Sequence, residues 1–344
     1  MNSAPRRLVL LALCIVFWVG CSSSATPSPV VTPTSETNAV SLSNEEKTLA
    51  SLNKVDAHPL YTMHYVGAYD ARPSLLPPLP ETRNAWGCSL FAALGDASNM
   101  LYGRNFDWEP SPAVLLFTEP LGGYASVSMV DIAYLGFTGD RADNLADVPL
   151  AERRALLRAP FLPFDGMNSR GLAIGMAAVP DGQMQNDPSK PTIDSLMVIR
   201  KVLDSAATVG EAIAIFRQHN ISWDGGPPLH YLIADKTGRA ALVEFHQGAL
   251  RVIPNETQWH QATNFLQSSV ANPAGQCRRR DTLAQRLGEM NGRGNPRDAM
   301  QLLRDVSQDI TQWSIVYGMT DGKIDVAMGR HYETQHHWNL TLTR

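Results

Sequence analysis

Trp86-Gly87-Cys88-Ser89-Leu90-Phe91-Ala92-Ala93-Leu94, a break at Gly95-Asp96-Ala97-Ser98-Asn99, then Met100-Leu101-Tyr102-Gly103-Arg104-Asn105-Phe106-Asp107-Trp108: the reading of this stretch decides the rest. Two strand-like runs flank a cluster of turn formers, the pattern of a β-hairpin. Folded back, the second run brings Arg104 and Asp107 beside Cys88. A thiol is a useful nucleophile only as the thiolate, and a nearby cation favours that form. If the chain were cut before Cys88, that residue would carry both a thiol and a free amine, so nucleophile and base would share one residue. Against this stands the ordinary reading, in which a Cys ahead of an apolar run is a buried core residue and Arg104 with Asp107 is a plain ion pair.

The segments around the hairpin alternate between two periodicities. Residues 43–54 read as a short helix that Asn44 can cap, with Glu45 and Glu46 in its first turn. Strands are expected at 60–69, 114–117 and 126–132, then on both sides of a turn at Asn168 and Gly171. A helix follows Asp194, and Thr208-Val209-Gly210-Glu211 is a capping box for a second one reaching about residue 219. The period returns to two at 230–234 and 240–245, around a Lys236-Thr237-Gly238 turn, with further strands at 250–253 and 261–265. Helices at 278–290 and 296–306, Pro296 in a first turn, precede strands at 314–319, 323–328 and 338–342. Residues 73–80, 110–123 and 136–163 read as loops. Strands, a helical pair, strands, a helical pair and strands again predict an α+β protein of two antiparallel sheets with helices packed outside.

The N-terminus reads as a targeting segment. Arg6-Arg7 is a basic start, and an apolar run too short to span a membrane comfortably leads to Trp18-Val19-Gly20-Cys21. This resembles a bacterial lipoprotein signal whose Cys is lipidated, with Trp18 where Leu is usual; an ordinary secretory cleavage site or an uncleaved anchor are the alternatives. Residues 22–43 are rich in Ser, Thr and Pro and read as a disordered leash. Lipidation at Cys21 would hold the protein to a bacterial cell membrane outside the cytoplasm. Two cysteines then remain for the folded part, Cys88 and Cys277, compatible with one disulfide or with a reactive thiol.

Other chemistries find little support. The net charge of −4 carries no basic excess for nucleic acid. The nine His residues show no His-Glu-x-x-His or other ligand spacing, so no metal or cofactor is expected. There is no Gly-x-Ser-x-Gly elbow and no phosphate-binding Gly loop. Ser51-Leu52-Asn53-Lys54 matches Ser-x-x-Lys, but the partner motifs of penicillin-binding enzymes are missing.

Cys88-Ser89 and Tyr102-Gly103-Arg104-Asn105-Phe106-Asp107-Trp108 are followed in order by Asp165-Gly166-Met167-Asn168-Ser169-Arg170-Gly171-Leu172-Ala173-Ile174, by Ala262-Thr263-Asn264-Phe265 and by Arg278-Arg279-Arg280. From about residue 60 onward the chain thereby resembles the N-terminal-nucleophile (Ntn) hydrolases, and among them the choloylglycine hydrolase and penicillin acyltransferase-like group of linear amide C–N hydrolases. The resemblance implies a four-layer αββα sandwich, self-cleavage between Gly87 and Cys88, and attack of the Cys88 thiolate on the amide of a small molecule. It divides the chain into a signal (1–21), a leash (22–43), a pro-segment (44–87) and a catalytic domain (88–344). Arg104 would favour the thiolate, Asp107 would orient the amine, and Asn264 would donate to the oxyanion. Arg280 best matches the group's late Arg among 278–280, because Asp281-Thr282-Leu283 follows it. Asn168 reads as a structural turn residue. One departure is Ala178, at about the position where bile-salt hydrolases carry an Asn or Tyr beside the oxyanion; it argues against bile salts or penicillin V as substrate. Acyl transfer instead of hydrolysis, or a surface solute-binding or structural lipoprotein that kept the fold without the chemistry, are the competing functions.

Overall fold

The computed structural model describes residues 42–69, 87–184, 186–224 and 226–343. The expected signal with Cys21, the loop at 73–80 and all of the leash except Leu42 and Ser43 lie outside the described residues. Helix α1 (Asn44–Ala50) is shorter than expected and is capped by Ser43: its hydroxyl accepts from the Glu46 N–H, and the Glu46 carboxylate accepts from the Ser43 N–H. Strands β1 (Asn53–Asp56) and β2 (Leu60–Tyr65) follow. The hairpin forms as β3 (Gly87–Ala93) and β4 (Leu101–Asp107), with Gly87 opposite Asp107, Cys88 opposite Phe106 and Leu90 opposite Arg104. Then come β5 (Ala113–Thr118), β6 (Ser126–Asp131), β7 (Asp165–Asn168) and β8 (Leu172–Ala178). The region expected as a loop at 136–163 contains α2 (Gly139–Asp143) and a run of 3-10 turns, Leu150–Phe161.

After β9 (Thr192–Asp194) lie α3 (Met197–Ser205) and α4 (Val209–Gln218), the latter with the expected Thr208–Glu211 capping box. Strands β10 (Asn220–Ser222), β11 (Leu229–Asp235), β12 (Ala240–His246), β13 (Ala249–Pro254) and β14 (Trp259–Ala262) lead to α5 (Arg278–Glu289) and α6 (Pro296–Asp305). The described chain closes with β15 (Thr311–Gly318), β16 (Lys323–Met328) and β17 (Gln335–Asn339). Strand β14 ends before Thr263, so Asn264 lies past a strand and not inside the expected one at 261–265.

Two sheets face each other. One has the order β1-β2-β5-β6-β7-β8-β11-β12-β13, the other β14-β3-β4-β15-β16-β17. The expectation of wholly antiparallel sheets fails at one pair: β2 runs parallel to β5, Leu60 opposite Ala113. The cause is connectivity. After β2 the chain crosses to build the β3–β4 hairpin in the other sheet and returns beside β2 in the same direction, the long crossover that a parallel pair requires. Helices α3 and α4 pack on the outside of the first sheet, against β7, β8, β11 and β12; α5 and α6 pack on the second, against β3, β4, β14 and β15. The result is the four-layer αββα sandwich.

Period-two alternation sorts the side chains between layers. From the hairpin, Cys88, Leu90, Tyr102 and Phe106 join the large core that includes the space between the sheets, while Phe91 and Leu101 join Leu283, Leu287, Leu302 and Leu303 under α5 and α6. Helix α3 turns its stripe of Val198, Ile199, Val202 and Leu203 onto the first sheet. Residues ahead of Cys88 are part of this structure: Leu60, Tyr61 and Met63 of β2 are fully buried. Tyr61 donates to the Ala142 carbonyl (2.7 Å) and accepts from the Leu145 N–H (3.1 Å). Tyr61→Phe leaves both backbone groups buried and unpaired, a cost of about 1–3 kcal/mol. The expected outcome is a lower urea midpoint with unchanged circular dichroism; an unchanged midpoint would show that these bonds contribute nothing to β2 docking.

Candidate active site

The site is built where the β3–β4 hairpin faces β7 and β8. Cys88 is 3% exposed. Its backbone N–H donates to Asn264 Oδ1 (2.6 Å), its carbonyl accepts from the Arg279 guanidinium, and Arg104 Nη2 donates towards its sulfur over 3.8 Å. Cys88 and Cys277 are both unpaired thiols, so the disulfide allowed by the sequence does not form. Burial pushes the Cys88 thiol up, and the charge of Arg104, although it acts the other way, does not overcome it. Arg104 thus acts in the expected direction, towards the thiolate, but burial outweighs it.

Arg104 is itself held by the facing sheet. Its guanidinium is fully buried and pairs with Asp165 at the start of β7 (2.5 Å), and Nε and Nη2 both donate to the Met176 carbonyl on β8 (3.2 and 3.1 Å). Asp165 also accepts from the Tyr317 hydroxyl (2.6 Å) and from Trp313 Nε1 (3.4 Å). The rings of Phe106 and Trp313 lie 5.0 and 6.0 Å from the guanidinium carbon, a cation–π arrangement in a dry setting. Gly175 makes room for the crossing: a Cβ there would lie 2.8 Å from the Tyr102 hydroxyl and 3.1 Å from Arg104 Cδ.

Alternation sends the neighbours of Cys88 to the opposite face, towards α5 and α6. Asp107 accepts from Gln308 Nε2 (2.7 Å) and Thr311 Oγ1 (2.5 Å) and lies 3.9 Å from Arg279. Burial raises its pKa above the ordinary carboxylate value. The group expected to orient the Cys88 nitrogen is thus occupied on the helix side, and Asn264 Oδ1 takes the Cys88 N–H instead. Gly87 faces the same layer; a Cβ there would lie 2.1 Å from Gln308 Nε2, so a side chain at this position would push the Gln308 amide off its bond to Asp107.

Among the three consecutive arginines, the structure puts Arg279 at the site in place of the expected Arg280. Arg279 sits at the first turn of α5 and reaches Cys88 O, Ser89 Oγ (3.0 Å) and Asn264 Oδ1 (2.9 Å). Arg280, one helical step of about 100° away, pairs with Asp281 (3.1 Å). Asn264 Nδ2 donates to the Ala178 carbonyl (2.9 Å), which leaves its second amide hydrogen for another acceptor. Asn168 is structural, as expected: its amide donates to the Leu203 and Ala206 carbonyls, and its oxygen accepts from the Arg170 and Leu172 N–H groups. Sequence reasoning did not single out Asp165, Gln308 or Thr311. Asp165 opens the quoted Asp165-Gly166-Met167-Asn168 stretch, and its pairing with a buried cation was the available signal; Gln308 and Thr311 carried none.

Beside the sulfur lies a narrow cleft with a cavity of about 30 Å³, lined by Phe106, Trp108, Tyr134, Phe164, Met176, Leu196 and Leu229, with no charged side chain among its described lining residues. An apolar cleft with a few convergent polar groups at one wall is the usual form of a small-molecule site.

A two-sheet sandwich flanked by helices, with a cysteine and a buried arginine between its sheets, places the protein among the Ntn hydrolases. The family model of the linear amide C–N hydrolases, choloylglycine hydrolase family, matches residues 88–271, more than half of the chain, and the chain belongs to that family. Its fold is similar to that of a mutant conjugated bile acid hydrolase from Clostridium perfringens (16% identity over 74% of this chain and 92% of that one, TM-score 0.54). A penicillin V acylase from Agrobacterium tumefaciens aligns at 16% identity over 70% of this chain and 83% of that one, with a TM-score of 0.47. The chain is therefore a hydrolase of linear amide C–N bonds.

One wall of the cavity has a built-in pH dependence. Asp131, at the end of β6, accepts from the Ala133 N–H (2.9 Å) and so caps the 3-10 turn that carries Tyr134. Burial pushes its carboxyl up to about 7. The protonated form is favoured by the folded state, so this contribution to stability is complete below the ordinary carboxyl value and is lost as the pH rises through about 7. Asp131→Asn should consequently melt higher than the parent at pH 8, with the difference vanishing near pH 4. A constant difference across that range would contradict the assignment.

Proposed function

We propose that this amide hydrolase activates itself by cutting the Gly87–Cys88 bond and then uses Cys88 as its N-terminal nucleophile. One observation carries the reading: the sulfur, nitrogen and carbonyl of Cys88 are each met by a different polar side chain, Arg104, Asn264 and Arg279, at the wall of an apolar cavity. The family match also begins at Cys88. In the first step the thiol adds to the Gly87 carbonyl and its proton passes to the departing nitrogen, which leaves a thioester and a free amine. Water then hydrolyses the thioester to a Gly87 carboxylate and the Cys88 thiol. With substrate, the Cys88 amine takes the thiol proton, the sulfur attacks the amide carbonyl, and the leaving amine receives that proton. The second hydrogen of Asn264 Nδ2 meets the oxyanion. Water releases the acyl group as a carboxylic acid; where an amine enters instead, the outcome is acyl transfer.

The cavity suits an uncharged, apolar acyl group, because an ionised one would lose hydration without finding a countercharge. Amides of phenylacetic or medium-chain fatty acids carry an acyl group that matches this apolar lining. The Arg6-Arg7 start, the apolar run and Cys21 support attachment of the protein to a bacterial membrane through a lipid, outside the cytoplasm. Cutting at Gly87 would then separate the anchor from the catalytic chain. Residues 44–69 keep the two together, since β2 lies within the nine-stranded sheet and Tyr69 donates to Asp204 (2.7 Å).

Two fragments are expected on a denaturing gel, the larger starting at Cys88, and a single species on native size exclusion. Cys88→Ala should remain one chain. Cleavage at the same bond in that variant, or an active enzyme with Cys88 still internal, would sink the proposal. An uncut chain whose thiol titrates like a free cysteine, about 8.5, would favour the solute-binding reading. Arg279→Ala should slow amide hydrolysis by roughly 10²–10³, the scale of losing one polar contact at the reacting centre, and Arg280→Ala by less than about two-fold, because its partly buried ion pair with Asp281 lies away from Cys88. Equal effects in a steady-state assay would contradict the placement of Arg279.

A further inference from the structure

We propose that His230 and Glu244 form a positioning pair that fixes Asn264 for the reaction at Cys88, by holding the Thr263–Asn264 peptide from across the gap between the sheets. The inference rests on the function proposed above. Asn264 needs such support, because its neighbours leave it unsupported by a strand: the β14 ladder ends at Ala262, opposite Leu90 on β3. Yet Asn264 makes three contacts at the site, to the Cys88 nitrogen, to Arg279 and to the Ala178 carbonyl. Small errors in such a group are costly, since a misplacement of about 1 Å can cost 10²-fold in rate.

His230 on β11 and Glu244 on β12 are both fully buried. The imidazole places Nε2 2.7 Å from the Thr263 carbonyl and Nδ1 3.1 Å from Glu244 Oε1. A carbonyl and a carboxylate only accept, so each ring nitrogen is placed to donate to the oxygen it faces. Glu244 in turn accepts from the Gln267 N–H (2.9 Å) and the Ser268 N–H (2.8 Å). Burial pushes this carboxyl up, but the hydrogen bond and charge of His230 and the bonds from Ser268 bring it below its ordinary value. The segment that carries Asn264 is therefore gripped on both sides, at Thr263 through the imidazole and at Gln267 and Ser268 directly.

Two other titratable groups, His260 and Arg280, lie near the pair. His260, on β14, accepts from the Gln261 N–H at Nδ1 and donates from Nε2 to the Ile253 carbonyl, which is a neutral ring, and burial pushes its pKa down. Arg280 lies close enough to oppose a second positive charge there. A buried ion pair is weak evidence for stability, because apolar residues of similar volume serve that purpose as well or better. What this pair does supply is directional bonds to three backbone groups on either side of Asn264.

The test uses the full-length protein and two readouts: release of nitroaniline from phenylacetyl 4-nitroanilide by the processed enzyme, and appearance of the fragment starting at Cys88 from the precursor. His230→Leu should lower kcat by about 30-fold or more with KM within about two-fold. In an Asn264→Ala background it should cost less than about two-fold further, because the two residues act as one unit. Glu244→Gln should lower kcat less than Glu244→Ala, since a neutral imidazole can still donate from Nε2 to Thr263 while Nδ1 accepts from the new amide, although that amide can no longer accept from both the Gln267 and Ser268 N–H groups. A soluble His230→Leu protein with nearly parental kcat, or one that loses the same factor in both backgrounds, overturns the proposal. If His230→Leu does not fold, Glu244→Ala takes its place: it should lose kcat in the parent and little further in an Asn264→Ala background, and a nearly parental kcat, or the same loss in both backgrounds, overturns the pair. A parent chain that neither cuts itself nor hydrolyses the anilide refutes the proposed function; an active parent with indifferent variants refutes the positioning pair alone.

Discussion

The buried ion pair between Arg104 and Asp165 is the constraint on which the site depends. Arg104 belongs to the hairpin of one sheet and Asp165 to the facing sheet, so the pair fixes the distance and register of the two layers at the end where Cys88 lies. Removing either partner would leave an uncompensated charge in a water-free space, a loss of about 3–5 kcal/mol. The Met176 carbonyl, the Tyr317 hydroxyl and the Trp313 indole complete the bonding of the two charges. Burial pushes the nearby Cys88 thiol up, and the charge of Arg104 only partly offsets it. On the reading proposed above, the thiol then waits for a base, which the cleavage itself creates in the form of the Cys88 amine.

A second constraint is the alternation of the strand. Cys88 points between the sheets, to Arg104 and the apolar cavity, while Gly87 and Asp107 face α5 and α6 with Gln308, Thr311 and Arg279. The bond between Gly87 and Cys88 is thus approached from two layers at once. The inner layer supplies the thiol and the acyl cavity. The outer layer supplies donors around the backbone, and Asn264 joins the two by touching the Cys88 nitrogen, Arg279 and β8. The His230–Glu244 pair extends this network to β11 and β12, so that four strands of the larger sheet bear on one peptide bond of the smaller.

The segment ahead of Cys88 follows the same logic. A propeptide that only masked a site would pack loosely over it. Here β2 is a fully paired strand, bonded on one side to β1 and on the other to β5, with its apolar side chains in the common core. Its removal would expose the edge of β5 and the residues that Tyr61 satisfies, so the segment is a structural part of the folded unit whatever happens at Gly87.

The sequence by itself determined the local elements and most of the site. The hairpin, the capping boxes at Thr208 and the helices at α5 and α6 follow from periodicity and turn chemistry, which act over a few residues. Cys88, Arg104, Asp107 and Asn264 were legible because they lie in short runs whose order matches a known family; Arg104 and Asn264 both reach Cys88, while Asp107 is bonded on the helix side. What only the tertiary structure decided are the pairings between distant segments. That Arg104 is spent on Asp165, that Asp107 turns to the helix layer, that β2 runs parallel to β5, and that Arg279 and not Arg280 reaches Cys88 depend on register, crossover and helix phase. A helix turns by about 100° per residue, so adjacent arginines in one run face different surroundings, and the linear order of three identical residues carries no information about which surroundings each will meet.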